Sequence, residues 1–175
     1  MKNLLLALVA LAPLGVIASD DAHTFKISNI KVGLACGKAN LESGQGGWVC
    51  QPVKDIYVVD QGTCVYDKRE VPCTWTGIEF DYQGVKAGAK LICTETSGLP
   101  SAFGNPRSVS KSGTKQFTYE LPLDKSTGHR FEAQYVVFEV HDVDSEIRAT
   151  HTQCSIDNHL ALSFDQVFHY PTNGH

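Results

Sequence analysis

EVHDVDSEIRATHTQC, residues 139 to 154, is the stretch on whose reading the fold turns. Asp142, Asp144 and Glu146 stand at every second position, with His141 ahead of them and His151 behind. Such spacing fits either a cation site or the tip of a β-hairpin. With Val143 and Asp144 as a tight turn, His141 faces Glu146, Glu139 faces Arg148 and Val137 faces Thr150. The other face then gathers Val136, Phe138, Val140, Ile147 and Ala149, with His151 among them. Cross-strand ion pairs of this kind contribute up to about 1 kcal/mol each. The register therefore predicts a hairpin with a polar side and an apolar side.

That register argues against a metal. His141 and His151 would lie about 17 Å apart on opposite faces of the sheet. Calcium asks for about six to eight oxygens, and Asp142 and Asp144 are only weak candidates. No Gly follows at the EF-hand position and no bidentate Glu arrives in place, so no metal and no cofactor are expected. One residue resists the scheme. Cys154 shares the parity of Arg148 and would point to the polar side, which requires either a bulge near Thr152 or a cover over that side further along.

Outward from this stretch, short runs rich in Val, Ile, Tyr, Phe and Thr recur between Gly, Pro, Asn and Asp clusters, without helical periodicity. Strands are predicted over 25–34, 48–59, 63–66, 73–82, 89–95, 114–121, 130–141, 146–155 and 160–170. The apolar phase of the first changes at Ser28-Asn29, which marks a bulge or bend. About nine such strands predict an all-β antiparallel sandwich, immunoglobulin-like in the broad sense, with a barrel as second choice.

The N-terminus reads MKNLLLALVALAPLGVIASDD. Lys2, a short apolar run and small residues at Val16 and Ala18 predict a signal peptide over residues 1–18 and a single domain over 19–175. The apolar run falls short of the roughly 20 residues of a membrane span. The expected location is periplasmic or extracellular. Without Lys2 the chain carries 14 basic against 19 acidic side chains, a net charge of −5. Such a surface does not suit general nucleic-acid or anionic-lipid binding.

All six cysteines fall after the leader. An even count in an exported chain predicts disulfides. Short-range closure favours Cys36–Cys50 and Cys64–Cys73 and leaves Cys93–Cys154, although spacing alone does not settle the pairing. In WVC (48–50) and CTW (73–75) each Trp shares a strand face with a cysteine, so both indoles are expected to pack beside a disulfide in the core.

Two loops stand out. GKANLESGQGG (37–47) lacks the spacing of a phosphate cradle and reads as a disulfide-bounded loop. SGLPSAFGNPRSVSKSG (97–113) is longer than compact domains carry without structure. With Arg107, Lys111 and nearby Lys115 it is the preferred contact region, Arg107 being the most specific donor.

No G-x-S-x-G or H-E-x-x-H motif is present, and paired cysteines offer no thiol nucleophile. Glu79 and Asp81 share a strand face but read as a solvated polar face opposite Ile78, Phe80 and Tyr82. His151 reads as a satisfied core histidine. The sequence therefore points to an exported binding module whose partner is a protein or an envelope glycan. The alternatives are an extracytoplasmic hydrolase using carboxylates and a structural subunit of an envelope assembly.

Overall fold

A computed structural model describes residues 25–37, 41, 46–111, 113–138 and 147–171. Twelve strands follow one another: β1 (Lys26–Gly37), β2 (Gly47–Pro52), β3 (Asp55–Tyr57), β4 (Gly62–Tyr66), β5 (Arg69–Gln83), β6 (Ala89–Ser101), β7 (Phe103–Asn105), β8 (Ser108–Val109), β9 (Thr114–Leu123), β10 (Thr127–Val137), β11 (Ile147–Ile156) and β12 (His159–His169). They form two sheets. The first runs β2-β1-β5-β10-β7-β8, with β4 on the free half of the long β5, and the second runs β3-β12-β11-β6-β9. All pairs are antiparallel except β3 with β12. Among the described residues both sheets keep open edges, so the all-β sandwich holds and the closed barrel does not.

Local chemistry sets the corners. Asp67-Lys68 joins β4 to β5 and Asp157-Asn158 joins β11 to β12, each with two consecutive positive φ values, the backbone of a tight two-residue hairpin turn. The bend expected at Ser28-Asn29 is present: the register of β1 on β5 shifts between Ser28 and Lys31, and Asn29 has φ 51°.

The pairing of Val137 with Thr150 that the predicted hairpin requires is not formed. Val137 pairs with Cys73 in the first sheet, and Thr150 pairs with Ser97 and Gln166 in the second. Strands β10 and β11 thus belong to different sheets, and the pairs His141–Glu146 and Glu139–Arg148 involve residues outside those described. Exposed ion pairs are too weak to dictate the pairing of two strands. Burial decides instead: every residue from Glu132 to Val137 is buried, because β10 lies mid-sheet with both faces covered. In β11 the inside and outside are the reverse of the expectation. Arg148, Thr150, Thr152 and Cys154 are buried, while Ile147, Ala149, His151 and Gln153 face solvent. Cys154 thus lies on the Arg148 side without an intervening bulge, since the register on β6 is unbroken from Thr150 to Ser155.

Two cores result. Between the sheets lie Ile78, Phe80, Leu91, Leu121, Leu123 and Phe168 with Cys93 and Cys154. A second cluster covers the far side of the first sheet, with Ala35, Leu41, Tyr66, Trp75, Tyr135 and the Cys64 and Cys73 pair. The three disulfides are Cys36–Cys50, Cys64–Cys73 and Cys93–Cys154, as expected. Each ties paired strands of one sheet: β1 to β2, β4 to β5 and β6 to β11. Trp75 packs as anticipated, edge-on to Tyr135 at 5.3 Å between centroids. Trp48 does not; it is exposed, because Val49 takes the inward position of β2.

The stretch 97–113 is structured rather than an open loop. β6 continues to Ser101, and the chain then crosses to the first sheet, where β7 pairs with β10 and turns back as β8. Asn105 Oδ1 accepts from the backbone amides of Arg107 and Ser108, each at 2.9 Å, and fixes that turn. Gly104 is required here, since a Cβ would collide with the Tyr135 ring.

Candidate functional site

The inter-sheet layer is apolar at one end and polar at the other. Alternation carries Cys93 to Glu95 along β6, and Cys154 to Thr152, Thr150 and Arg148 along β11. Gln166 and Tyr170 of the last strand and its exit lie alongside. The facing sheet supplies Thr76, Glu132 and Gln134, and Tyr119 of β9 completes the group. Gln134 Nε2 donates to the Tyr119 hydroxyl at 2.5 Å.

Glu95 is 7% exposed. Desolvation lifts its carboxyl to about 7 against an ordinary 4.5. The Thr150 hydroxyl alongside pulls weakly the other way, and its Oγ1 completes no full hydrogen bond. Burial also raises the phenols of Tyr119 and Tyr170, each further raised by the nearby Glu95 charge. Arg148 is 2% exposed. Its guanidinium lies 4.6 Å from the centre of the Tyr170 ring, its Nε and Nη1 have no hydrogen-bond partner, and desolvation lowers its pKa. Gln166 Nε2 and the Tyr170 hydroxyl are likewise unpartnered. Glu95, Thr76, Gln134 and Gln166, with Phe103 and Phe117, line a partly open pocket with room of about 10 Å³, the size of one water.

A second surface lies on the outward face of the five-stranded sheet. Residues directly opposite in register share a face. Tyr57 pairs with His169, which pairs with Ile147. Tyr57 is 70% exposed and its ring stacks on His169 at 4.8 Å with planes 20° apart; His169 in turn contacts Asp55 at 2.9 Å. Further along come the rows Asp165–His151–Thr96–Gln116 and Ser163–Gln153–Thr94–Thr118. Thr94 and Thr118 share a 3.1 Å hydrogen bond.

The residues singled out from sequence fall as follows. Arg107 is engaged internally: it pairs with the buried Glu132 and donates to the Glu120 carbonyl at 3.3 Å. Arg130 binds the other Glu132 oxygen at 2.8 Å. Lys111 is exposed. Lys115, also exposed, stands at the rim of a shallow depression lined by Glu95, Phe103 and Phe117. Asp142 and Asp144 lie outside the described residues. Among the described residues no three His, Cys, Asp or Glu side chains come together as a metal site.

His151 is not a core histidine: it is exposed and contacts Asp165 at 2.7 Å. Asp81 lies on a solvated face as anticipated, and contacts Asn29 at 2.6 Å and His129 at 2.8 Å. Glu79 is instead buried. Burial alone would raise its pKa, but a 2.9 Å bond from Lys31 and a 2.8 Å bond from the Val49 amide outweigh it and hold it down.

Fold and interior together define a disulfide-stapled all-β sandwich with an ionisable group buried between its sheets. No protein-family model matches the chain, and no curated protein matches it.

Proposed function

We propose that the protein is an exported binding module that takes a hydroxyl-rich polymer, an envelope glycan by class, on the outward face of its five-stranded sheet. The observation that carries this reading is the Tyr57–His169 stack, a largely exposed aromatic platform at the head of rows rich in hydroxyls and side-chain amides. An aromatic face offers apolar area to the C–H face of a sugar at low entropic cost, and fixed Thr, Ser and Gln side chains offer donors and acceptors to its hydroxyls. Three disulfides fit an extracytoplasmic protein, and among the described residues no helix is long and apolar enough to cross a membrane.

The contact region anticipated at 97–113 has less to offer, because its Arg107 already serves Glu132. The carboxylate hydrolase finds less support still. Asp81 and Glu79 are both held in the ionised form, and the protonatable Glu95 faces a space that admits about one water.

Co-sedimentation of the purified protein with insoluble envelope polysaccharide tests the reading. Wild type is expected to sediment with the polymer, and Tyr57→Ala to bind at least about tenfold more weakly, a loss of about 1.4 kcal/mol. Equal retention of the two proteins, or no retention of wild type, would refute it.

A further inference from the structure

Thr150 and Gln166 stand directly opposite each other on β11 and β12, and both side chains face the interior. Each is 3% exposed. Gln166 Nε2 is buried without a hydrogen-bond partner and Thr150 Oγ1 has none besides the neighbouring Glu95 carboxyl, although buried polar groups are nearly always paired. The Glu95 carboxyl lies next to the Thr150 hydroxyl. A hydroxyl, a carboxamide and a carboxyl group that water barely reaches are thus collected in one place.

We propose that Thr150 and Gln166 are joined by an intramolecular ester bond, formed by attack of the Thr150 hydroxyl on the Gln166 side-chain amide with loss of ammonia. Glu95, as carboxylate, takes the hydroxyl proton while Oγ1 adds to the Gln166 Cδ. The tetrahedral intermediate collapses by breaking the Cδ–Nε2 bond, and Glu95 returns the proton to the departing nitrogen. The products are the ester and one molecule of ammonia. No electron changes hands and no other reactant is needed.

Three features favour the step. Cross-strand neighbours have Cβ atoms roughly 4.5–5.5 Å apart, a span that the four bonds of the link can bridge, and fixed juxtaposition replaces a bimolecular encounter. Glu95 is lifted by burial to about 7, where a carboxyl both accepts and returns a proton near neutral pH. Thr150 and Gln166 at 3% and Glu95 at 7% exposure leave little water to hydrolyse the product. With Cys93–Cys154 tying β6 to β11, the ester would leave three neighbouring strands covalently connected.

Mass spectrometry of the full exported chain, reduced and cut with trypsin, tests this on the fragment beginning at Ala149. The wild-type fragment is expected about 17 Da light, the mass of ammonia, with its fragment-ion series interrupted between 150 and 166. Thr150→Ser should keep the deficit, while Thr150→Val and Glu95→Gln should restore the full mass. A folded, disulfide-bonded wild type of full mass overturns the proposal and leaves the two groups to a buried water. So does an ammonia loss that localises to Asn173-Gly174.

Discussion

The two ends of the inter-sheet layer are built on the same strands and could hardly differ more in chemistry. At one end Ile78, Phe80, Leu91, Leu121 and the Cys93–Cys154 pair are fully buried. Two residues further along β6, and two to six back along β11, the same inward positions hold Glu95, Thr152, Thr150 and Arg148. Strand parity determines which side chains go inside, and polarity does not override it once a disulfide has fixed the parity. The apolar end contributes stability through burial. The polar end contains groups whose desolvation works against it, and such groups are a reason to look for chemistry there.

The contrast can be broken at either end. Phe80→Ala at the apolar end is expected to cost about 4 kcal/mol in urea unfolding, through lost transfer energy and a residual cavity. The polar end should respond to pH. Glu95 has a pKa of about 7 folded against 4.5 as its ordinary value. Because the folded value is raised, its contribution is complete below pH 4.5 and is lost as pH rises through about 7, a span of roughly 3 kcal/mol. Stability curves of wild type and Glu95→Gln should therefore differ in slope over that window, whatever their constant offset. Arg148→Met should be neutral or stabilising by about 1 kcal/mol in thermal melts, since it removes a desolvated guanidinium with two unpartnered nitrogens. On the outward face Tyr57→Ala should shift unfolding by less than about 0.5 kcal/mol while it weakens polymer retention.

Much of the fold was legible from composition and turn chemistry. Although the run 48–59 reads as one strand and is two, β2 and β3, on different sheets, two of the disulfides, the bend at Ser28-Asn29 and nine strand-bearing runs follow from short-range signals. β7 and β8 did not, because three-residue and two-residue strands around Asn105-Pro106 carry too little alternation to distinguish them from a loop. The pairing of β10 with β11 was misread for a different reason. Opposed charges at Glu139 and Arg148 make a persuasive register on paper, but that register assumes Arg148 on a solvated face, whereas it is buried, and β10 is buried on both faces.

The clue to the polar end lay in the parity of Cys154. If Cys93 and Cys154 pair in a core, then Glu95 and the alternate residues back to Arg148 must point inward as well. The outward Tyr57–His169 stack left no such trace, since it depends on the parallel pairing of β3 with β12, more than a hundred residues apart in sequence.

The most direct test of the inverted interior is the titration of the Glu95 side-chain carboxyl, followed by carbon NMR and assigned by its loss in Glu95→Gln. The expected midpoint is about 7. A midpoint near the ordinary 4.5 would place that carboxyl in water, and with it the whole parity of β6 and β11.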